Sequence, residues 1–209
     1  MVLFKSLLVT AITVLISISV YAQDQVYGNN IKTVRFNMAG DQLAMPVYNL
    51  NSGDQLELHF DDLDADVKSY YYTYQLCDIN WQPVDMSQFN YLKGFTQMRI
   101  SNYHYSSLAY TRYTHYQAIL PDANLMPTRS GNYMVKVYLD GDTSQLVLTR
   151  RMLVLNPIAT VAAQIVPPFS SEYARTYQRL KFAVNIDAVN SFNTTQEIKV
   201  VVLQNNRWD

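Results

Sequence analysis

Hydrophobic and polar residues alternate with a period of two along much of the chain, which is the pattern of half-buried β-strands. Leu56, Leu58 and Phe60, for example, alternate with Glu57 and His59. The same pattern recurs around Val34 and Phe36 and in segments 70–76, 110–120, 133–139 and 145–155. No amphipathic helix of convincing length interrupts these segments. The spacing therefore predicts an all-β fold, an antiparallel β-sandwich of the immunoglobulin or fibronectin type.

Turn residues separate these strands and mark the end of the first domain. Asp140-Gly141 predicts a two-residue hairpin turn, because glycine accepts the positive φ that such turns require. Asn156-Pro157 ends the block of strands, and Pro167-Pro168 is more typical of an inter-domain connection than of a strand interior. We therefore assign residues 23–156 to an N-terminal β-sandwich domain.

The remaining residues, 157–209, contain three further apolar segments, at 160–166, 180–186 and 198–203. Residues 204–207 predict a turn, and Trp208 would then begin another strand. About 53 residues and three strands bury too little surface to form a stable core of their own. We therefore predict that this part is an incomplete second β domain and that the chain is the N-terminal part of a longer protein.

The first residues have the layout of a secretory signal peptide. Lys5 supplies a positive charge, residues 6–20 form an apolar run, and Val20-Tyr21-Ala22 places small or modest side chains where a signal peptidase cuts. An apolar run of about 15 residues is shorter than the roughly 20 that cross a bilayer as a helix, which argues against an uncleaved anchor. We predict a signal peptide at residues 1–22.

Composition narrows the class of protein further. The single cysteine, Cys77, lies far from the predicted cleavage point, so it offers neither a lipid anchor nor an internal disulfide, and we expect a soluble protein with Cys77 buried. After cleavage 17 acidic residues stand against 15 basic ones, since Lys5 is removed. A nearly neutral chain is a poor candidate for binding nucleic acid.

The sequence contains none of the common catalytic motifs: no phosphate-binding glycine loop, no zinc-protease histidine pair, no Gly-x-Ser-x-Gly and no Cys-x-x-Cys. A triad assembled from distant residues leaves no such motif, so a convergent active site stays open as an alternative. We predict that the protein is not an enzyme and has no cofactor and no small-molecule substrate.

Two groups of residues resemble metal sites but lack necessary ligands. Asp62, Asp64 and Asp66 have the spacing that opens an EF-hand loop, but Val67 and Thr73 stand where that loop needs glycine and a bidentate glutamate. His104 and His115 could lie on neighbouring strands, but no third ligand is evident. We therefore predict an acidic connection between strands, surface histidines and no metal site.

Aromatic residues are the most unusual feature, with 17 Tyr, 8 Phe and 2 Trp. Most are expected to pack the core, although Tyr71 alternates out of phase with its neighbours and should lie on the opposite face. The loop after Cys77 carries the residues that we predict to contact a partner, namely Asn80, Trp81, Tyr91 and Phe95. The alternative is that Trp81 folds back over the sandwich and covers its core.

Several short motifs, taken in order, resemble the type IX secretion system plug protein family of Bacteroidota. They extend over residues 31–165 and comprise the run from Leu56 to Leu63, the run from Tyr70 to Trp81, Gly94-Phe95, Tyr113-Thr114-His115-Tyr116, Ser130-Gly131-Asn132-Tyr133 and Leu148-Thr149-Arg150-Arg151. The resemblance implies a periplasmic protein that closes the periplasmic opening of the large outer-membrane translocon β-barrel. It also implies a longer protein, association with the outer membrane through that partner, and no catalytic residues.

Two other classes compete with this interpretation. Trp81 and exposed tyrosines are also typical of a carbohydrate-binding β-sandwich, where aromatic rings stack on sugar faces. Alternating strands and aromatics also occur in small outer-membrane barrels, but the long loop from Trp81 to Phe95 and the absence of long lipid-facing apolar stripes argue against that class.

Overall fold

The computed structural model of the protein describes residues 24–186 and 193–205. The predicted signal peptide and the predicted strand at Trp208 lie outside the described residues. Within them the fold is all-β, which confirms the predicted class: thirteen strands, numbered here in chain order, form two large sheets and two smaller strand pairs. No helix in the described ranges is long and apolar enough to cross a membrane.

One large sheet has four antiparallel strands in the spatial order β1, β3, β8, β7. Their bounds are Ile31–Met38 for β1, Leu56–Asp62 for β3, Thr114–Leu120 for β8 and Asn102–Tyr105 for β7. In β3 the predicted alternation is exact, because Leu56, Leu58 and Phe60 are buried while Glu57 and His59 are only partly so. This four-stranded sheet therefore has one face toward the core and one polar outer face.

The other large sheet has five strands in the order β2, β11, β10, β4, β6. Their bounds are Val47–Asn49 for β2, Leu146–Leu155 for β11, Gly131–Leu139 for β10, Tyr70–Cys77 for β4 and Met98–Arg99 for β6. Neighbours are antiparallel except β2 and β11, which are parallel. Tyr71 alternates away from the core, as predicted, and is half-buried.

The core fills the space between the two sheets. Phe60 and Tyr116 of the four-stranded sheet stack with ring centroids 5.2 Å apart, and Tyr70 of the five-stranded sheet meets both rings edge-on at 5.1 and 4.8 Å. Tyr74, Tyr133 and the aliphatic side chains of β10 and β11 continue this cluster. The tyrosines of β4 thus belong mainly to the sandwich core, which aromatic rings stabilise through their large buried area.

Two predicted segments differ in detail from the structure. The strand expected from Tyr110 begins only at Thr114, since the residues before it form an exposed connection. The hairpin at Asp140-Gly141 exists, and both residues have positive φ, but its connection runs from residue 140 to 145. A register shift between Val137 and Tyr138 accompanies the longer connection.

Part of the predicted long loop is ordered by a small strand pair. It consists of β5, Leu92–Gly94, and β9, Leu125–Pro127, preceded by one turn of 3₁₀-helix at Gln88–Asn90. Gly94 has a φ of 91°, and a Cβ at this position would overlap the backbone carbonyl of Asn124. The Phe95 amide donates to the same carbonyl at 2.6 Å, so only glycine allows the two segments to approach this closely.

Beyond residue 156 the described chain forms one antiparallel hairpin of β12, Thr160–Val166, and β13, Arg179–Asn185. Pro167-Pro168 lies in the connection of this hairpin, so it does not join two domains as predicted. Residues 198–203 do not form the expected strand. Val161, Ile165, Leu180 and Phe182 lie on one side of the hairpin and remain exposed.

Candidate partner-binding surfaces

The four residues predicted to contact a partner do not share one surface. Tyr91 is completely buried in the core, where its ring lies 6.0 Å from that of Tyr133. Trp81 is only 8% exposed, whereas Asn80 and Phe95 are exposed. The structure thus removes Tyr91 from any surface accessible to a partner, and contact through Asn80 and Phe95 stays a prediction.

Trp81 covers the outer face of the five-stranded sheet. Its backbone has a φ of 62°, an unusual conformation for a bulky residue, in a turn where the Asp78 carboxylate accepts the amides of Asn80 and Gln82 at 2.8 Å. Its ring packs on Cys77 and Met134, and Cys77 is buried as predicted. Burial raises the pKa of the Cys77 thiol, so this residue acts as a small apolar side chain.

The adjacent arginines of the Leu148-Thr149-Arg150-Arg151 motif have structural roles. The Arg151 guanidinium lies over the Trp81 ring, 5.0 Å from its centre. Arg150 donates to the carbonyls of Thr149 at 2.7 Å and Gln25 at 3.4 Å, so it fastens the N-terminal segment to β11. With its ring enclosed in this way, Trp81 offers no flat face for sugar stacking, which argues against the carbohydrate-binding alternative.

The acidic residues at the end of β3 and just after it form a compact ionic network around Lys68. The Lys68 ammonium contacts Asp62 at 3.0 Å and Asp66 at 3.6 Å, and it also contacts Asp64. Lys68 therefore occupies the position among these carboxylates that a bound cation would take in a calcium loop. The acidic segment does connect two strands, as predicted from the sequence. The ionic network is nevertheless partly buried, because Asp62 is fully shielded from solvent.

Asp62 is the centre of this network. Its carboxylate accepts hydrogen bonds from the Tyr70 hydroxyl at 2.7 Å, the Asp64 amide at 3.0 Å and the Asn30 side chain. Burial alone would raise the pKa of Asp62, but these bonds and Lys68 outweigh it and hold the pKa below its usual range. Burial, together with the hydrogen bond to the same carboxylate, raises the pKa of Tyr70 well above its ordinary value.

The histidines lie together on the outer face of the four-stranded sheet. His104 and His115 are paired across β7 and β8, as predicted, and His59 of β3 adds a third ring. The His59 Nδ1 and His115 Nε2 atoms are 3.1 Å apart, and Asp61 accepts from His115 Nδ1 at 2.6 Å. Among the described residues no three His, Cys, Asp or Glu side chains converge on a possible metal position.

The most exposed aromatic cluster lies on β7 and the connection that follows it. Tyr103 and Tyr105 are 37% and 62% exposed, and Leu108 and Tyr110 extend fully into solvent. The sequence prediction missed this cluster, because it assigned Tyr110 to a strand and overlooked β7. The alternating residues Tyr103, His104 and Tyr105, followed by Ser106-Ser107, are the feature that would have revealed an edge strand and its turn.

Comparison with protein families gives a match that coincides with the two large sheets. It covers residues 31–156, from the first residue of β1 to the residue after β11, and the matching family is the type 9 secretion system plug protein, first domain. The match includes more than half of the chain and confirms the resemblance that the ordered motifs indicated. A comparison with curated proteins finds no match.

A solved structure supports the same fold. The crystal structure of a hypothetical protein from Parabacteroides merdae ATCC 43184 matches with a TM-score of 0.73 and 25% sequence identity. The alignment covers 78% of this chain but 41% of that protein. The chain therefore matches only about two fifths of the length of its structural relative.

Proposed function

The chain belongs to the type 9 secretion system plug protein family, and from this premise we propose that it is a non-catalytic subunit that closes the periplasmic opening of the outer-membrane translocon barrel. The observation that carries the proposal is the family match over residues 31–156, which coincides with the sandwich. The family supports association with the secretion machinery and a location in the cell envelope. We propose in addition that the barrel is the direct partner and that the protein seals it.

A plug of this kind needs no chemistry, only a stable shape and a suitable interface. A pore wide enough for folded cargo would leak small molecules whenever no cargo fills it. A folded domain closes such a pore if its interface buries roughly 1,200–2,000 Å², which is enough for specific binding and still allows release. The sandwich suits this role, because its core of packed aromatic rings resists deformation.

The organisation of the chain fits the same proposal. Residues 23–156 would supply the plug domain, and residues 157–209 would begin a second β domain whose apolar hairpin side is covered in the complete fold. The protein would act in the periplasm after removal of residues 1–22. It would associate with the outer membrane only through its partner.

Affinity purification tests the partnership directly. The tagged full-length protein, purified from native membranes in mild detergent, should recover a large outer-membrane β-barrel, whereas a tagged unrelated periplasmic protein should not. Recovery of no such barrel would overturn the proposal.

Deletion of the gene tests the sealing role. Loss of the plug should make cells more sensitive to vancomycin, which is too large for ordinary porins, and a plasmid copy should restore resistance. Unchanged sensitivity in cells that still assemble the translocon would contradict sealing while leaving the partnership intact.

A further inference from the structure

The outer edge of β7 is an unprotected sheet edge. No strand in the described ranges pairs with it, and its four residues, Asn102–Tyr105, include no lysine and no proline. The opposite edge strand of the same sheet, β1, carries exposed Lys32 and Arg35 on either side of a register shift, and both features discourage pairing with another strand. The edges of the five-stranded sheet are strands of only two and three residues.

The backbone groups of Tyr103 and Tyr105 point away from β8. The Ser106 amide donates to the Tyr113 carbonyl at 2.9 Å, which makes this pair a hydrogen-bonded one. Bonded and non-bonded pairs alternate along an antiparallel ladder, so the pairs Tyr105 with Thr114 and Tyr103 with Tyr116 are non-bonded. The amides and carbonyls of Tyr103 and Tyr105 are therefore available to an added strand.

The side chains of the same two tyrosines extend the aromatic core toward the surface. From the stacked pair of Phe60 and Tyr116, the row continues to Tyr103 at 5.9 Å and from there to Tyr105 at 5.9 Å. Tyr105 is still 62% exposed. An added strand would bury both rings with its own inward side chains.

The two ends of β7 differ in the charge of their surroundings. From Met86 to Pro121 the chain contains no Asp or Glu but carries Lys93, Arg99 and Arg112. Arg99 and Arg112 are exposed. At the other end of β7, Tyr105 and Arg112 line one cavity with Ala65, whose neighbours Asp64 and Asp66 have exposed carboxylates. A partner segment that carries acidic residues toward Arg99 and basic residues toward Asp64 and Asp66 would therefore match this edge, because complementary charge steers association and rejects unsuitable partners.

From these observations we propose that β7 binds an extended segment of the translocon barrel protein, which adds as a fifth strand to the four-stranded sheet and covers Tyr103 and Tyr105. This segment carries acidic residues toward Arg99 and basic residues toward Asp64 and Asp66. The inference rests on the proposed function, since it names the contact through which the plug is held. Strand addition supplies affinity through backbone hydrogen bonds and specificity through alternate side chains. A strand added at an edge also separates more readily than an obligate interface, which suits a reversible plug.

Binding of the purified full-length protein to the detergent-solubilised barrel tests the edge itself. Tyr105→Ala removes the ring, and Tyr105→Pro removes the ring and the outward amide without breaking a bond to β8. We expect about a fivefold weaker Kd for the alanine variant and more than about a tenfold loss for the proline variant. The control is His104→Ala on the same strand, whose side chain lies on the opposite face and whose affinity should be unchanged.

Photo-crosslinking in cells separates the possible failures. A photoreactive phenylalanine analogue that replaces Tyr105 should crosslink to the barrel. The same analogue in place of Phe89, which is also exposed, should not. The β7 contact would be wrong if position 89 crosslinks to the barrel, position 105 does not, and folded Tyr105 variants bind with full affinity. That result would still agree with the plug function. Crosslinks from Tyr105 to a second copy of the chain would show that the edge pairs with itself, which also overturns the contact. Absence of binding by the parent protein would refute the plug function, and with it this inference.

Discussion

At the scale of single residues, two positive-φ positions fix the loops that border the sandwich. Gly94 adopts this conformation because the Asn124 backbone occupies the space that a Cβ would need. Trp81 adopts it with a large side chain, at an energetic cost that the Asp78 hydrogen bonds and the packing against Cys77 offset. The first position is set by a steric limit and the second by favourable contacts.

Gly94→Ala should therefore destabilise the protein strongly. The new Cβ overlaps the Asn124 carbonyl and the backbone remains at a φ unfavourable for alanine, so we expect a loss of about 2 kcal/mol or more in the free energy of unfolding. Urea unfolding followed by tyrosine and tryptophan fluorescence measures it. Gly53→Ala is the matched control, because no atom lies near its added Cβ, and a similar loss there would contradict the steric explanation.

The network of Asp62 and Lys68 predicts acid sensitivity. The pKa of Asp62 in the folded protein lies below its usual value, so its stabilising contribution is complete above about pH 5 and is lost as the pH falls below about 4. Urea unfolding at a series of pH values measures this loss. Asp62→Asn should be less stable than the parent at pH 7, and the difference between the two should shrink toward pH 3.

Removal of the ammonium tests the same network from the other side. Lys68→Met leaves a buried carboxylate without its counter-charge, so we expect about 3 kcal/mol lower stability at pH 7 and an acid transition at higher pH, because the pKa of Asp62 rises. Lys136→Met, which replaces a lysine outside this network, is the control. An acid transition unchanged from the parent would show that Lys68 does not compensate Asp62.

At the scale of elements, the alternating strands follow directly from the sequence, whereas the connections do not. β3, β4, β10 and β11 lie where period two predicts them, because each has one face in the core. The residues before Thr114 also alternate, yet they project beyond the sandwich, since no opposing sheet is present there to bury them. Short edge strands such as β6 and β7 likewise depend on neighbours that local sequence does not specify.

The segment that holds Trp81 gives a prediction at this scale. Trp81→Ala exposes Cys77 and Met134 on the outer face of the five-stranded sheet and should lower the free energy of unfolding by about 3 kcal/mol. Below the unfolding temperature its affinity for the translocon barrel should equal that of the parent. A stable variant with lost binding would instead assign Trp81 to the contact surface, as the sequence prediction had it.

At the scale of the whole molecule, stability resides in the sandwich. All members of the main core cluster lie between Ile31 and Val154, whereas the β12–β13 hairpin is largely exposed. The chain shortened to residues 24–156 should therefore keep the main cooperative thermal transition within a few degrees of that of residues 24–209. Differential scanning calorimetry of both proteins measures this, and loss of the transition on shortening would show that the hairpin completes the core.

The sequence by itself determined the all-β class, the inward faces of the main strands, the family and the buried state of Cys77, because alternation and ordered motifs are properties of neighbouring residues. Only the tertiary structure decided which aromatics are accessible. Tyr91 was predicted at a surface and is buried. Trp81, for which the sequence left both a surface position and a position folded back over the sandwich open, is buried as well, while Tyr103 and Tyr105 were overlooked and are exposed. Whether a ring is buried depends on the segment packed against it, and for these four rings that segment comes from a distant part of the chain or is missing.

Lys68 is a similar case. The local sequence shows that its neighbours are acidic, but only the tertiary structure shows that Asp62 is buried and therefore needs the Lys68 ammonium as a counter-charge.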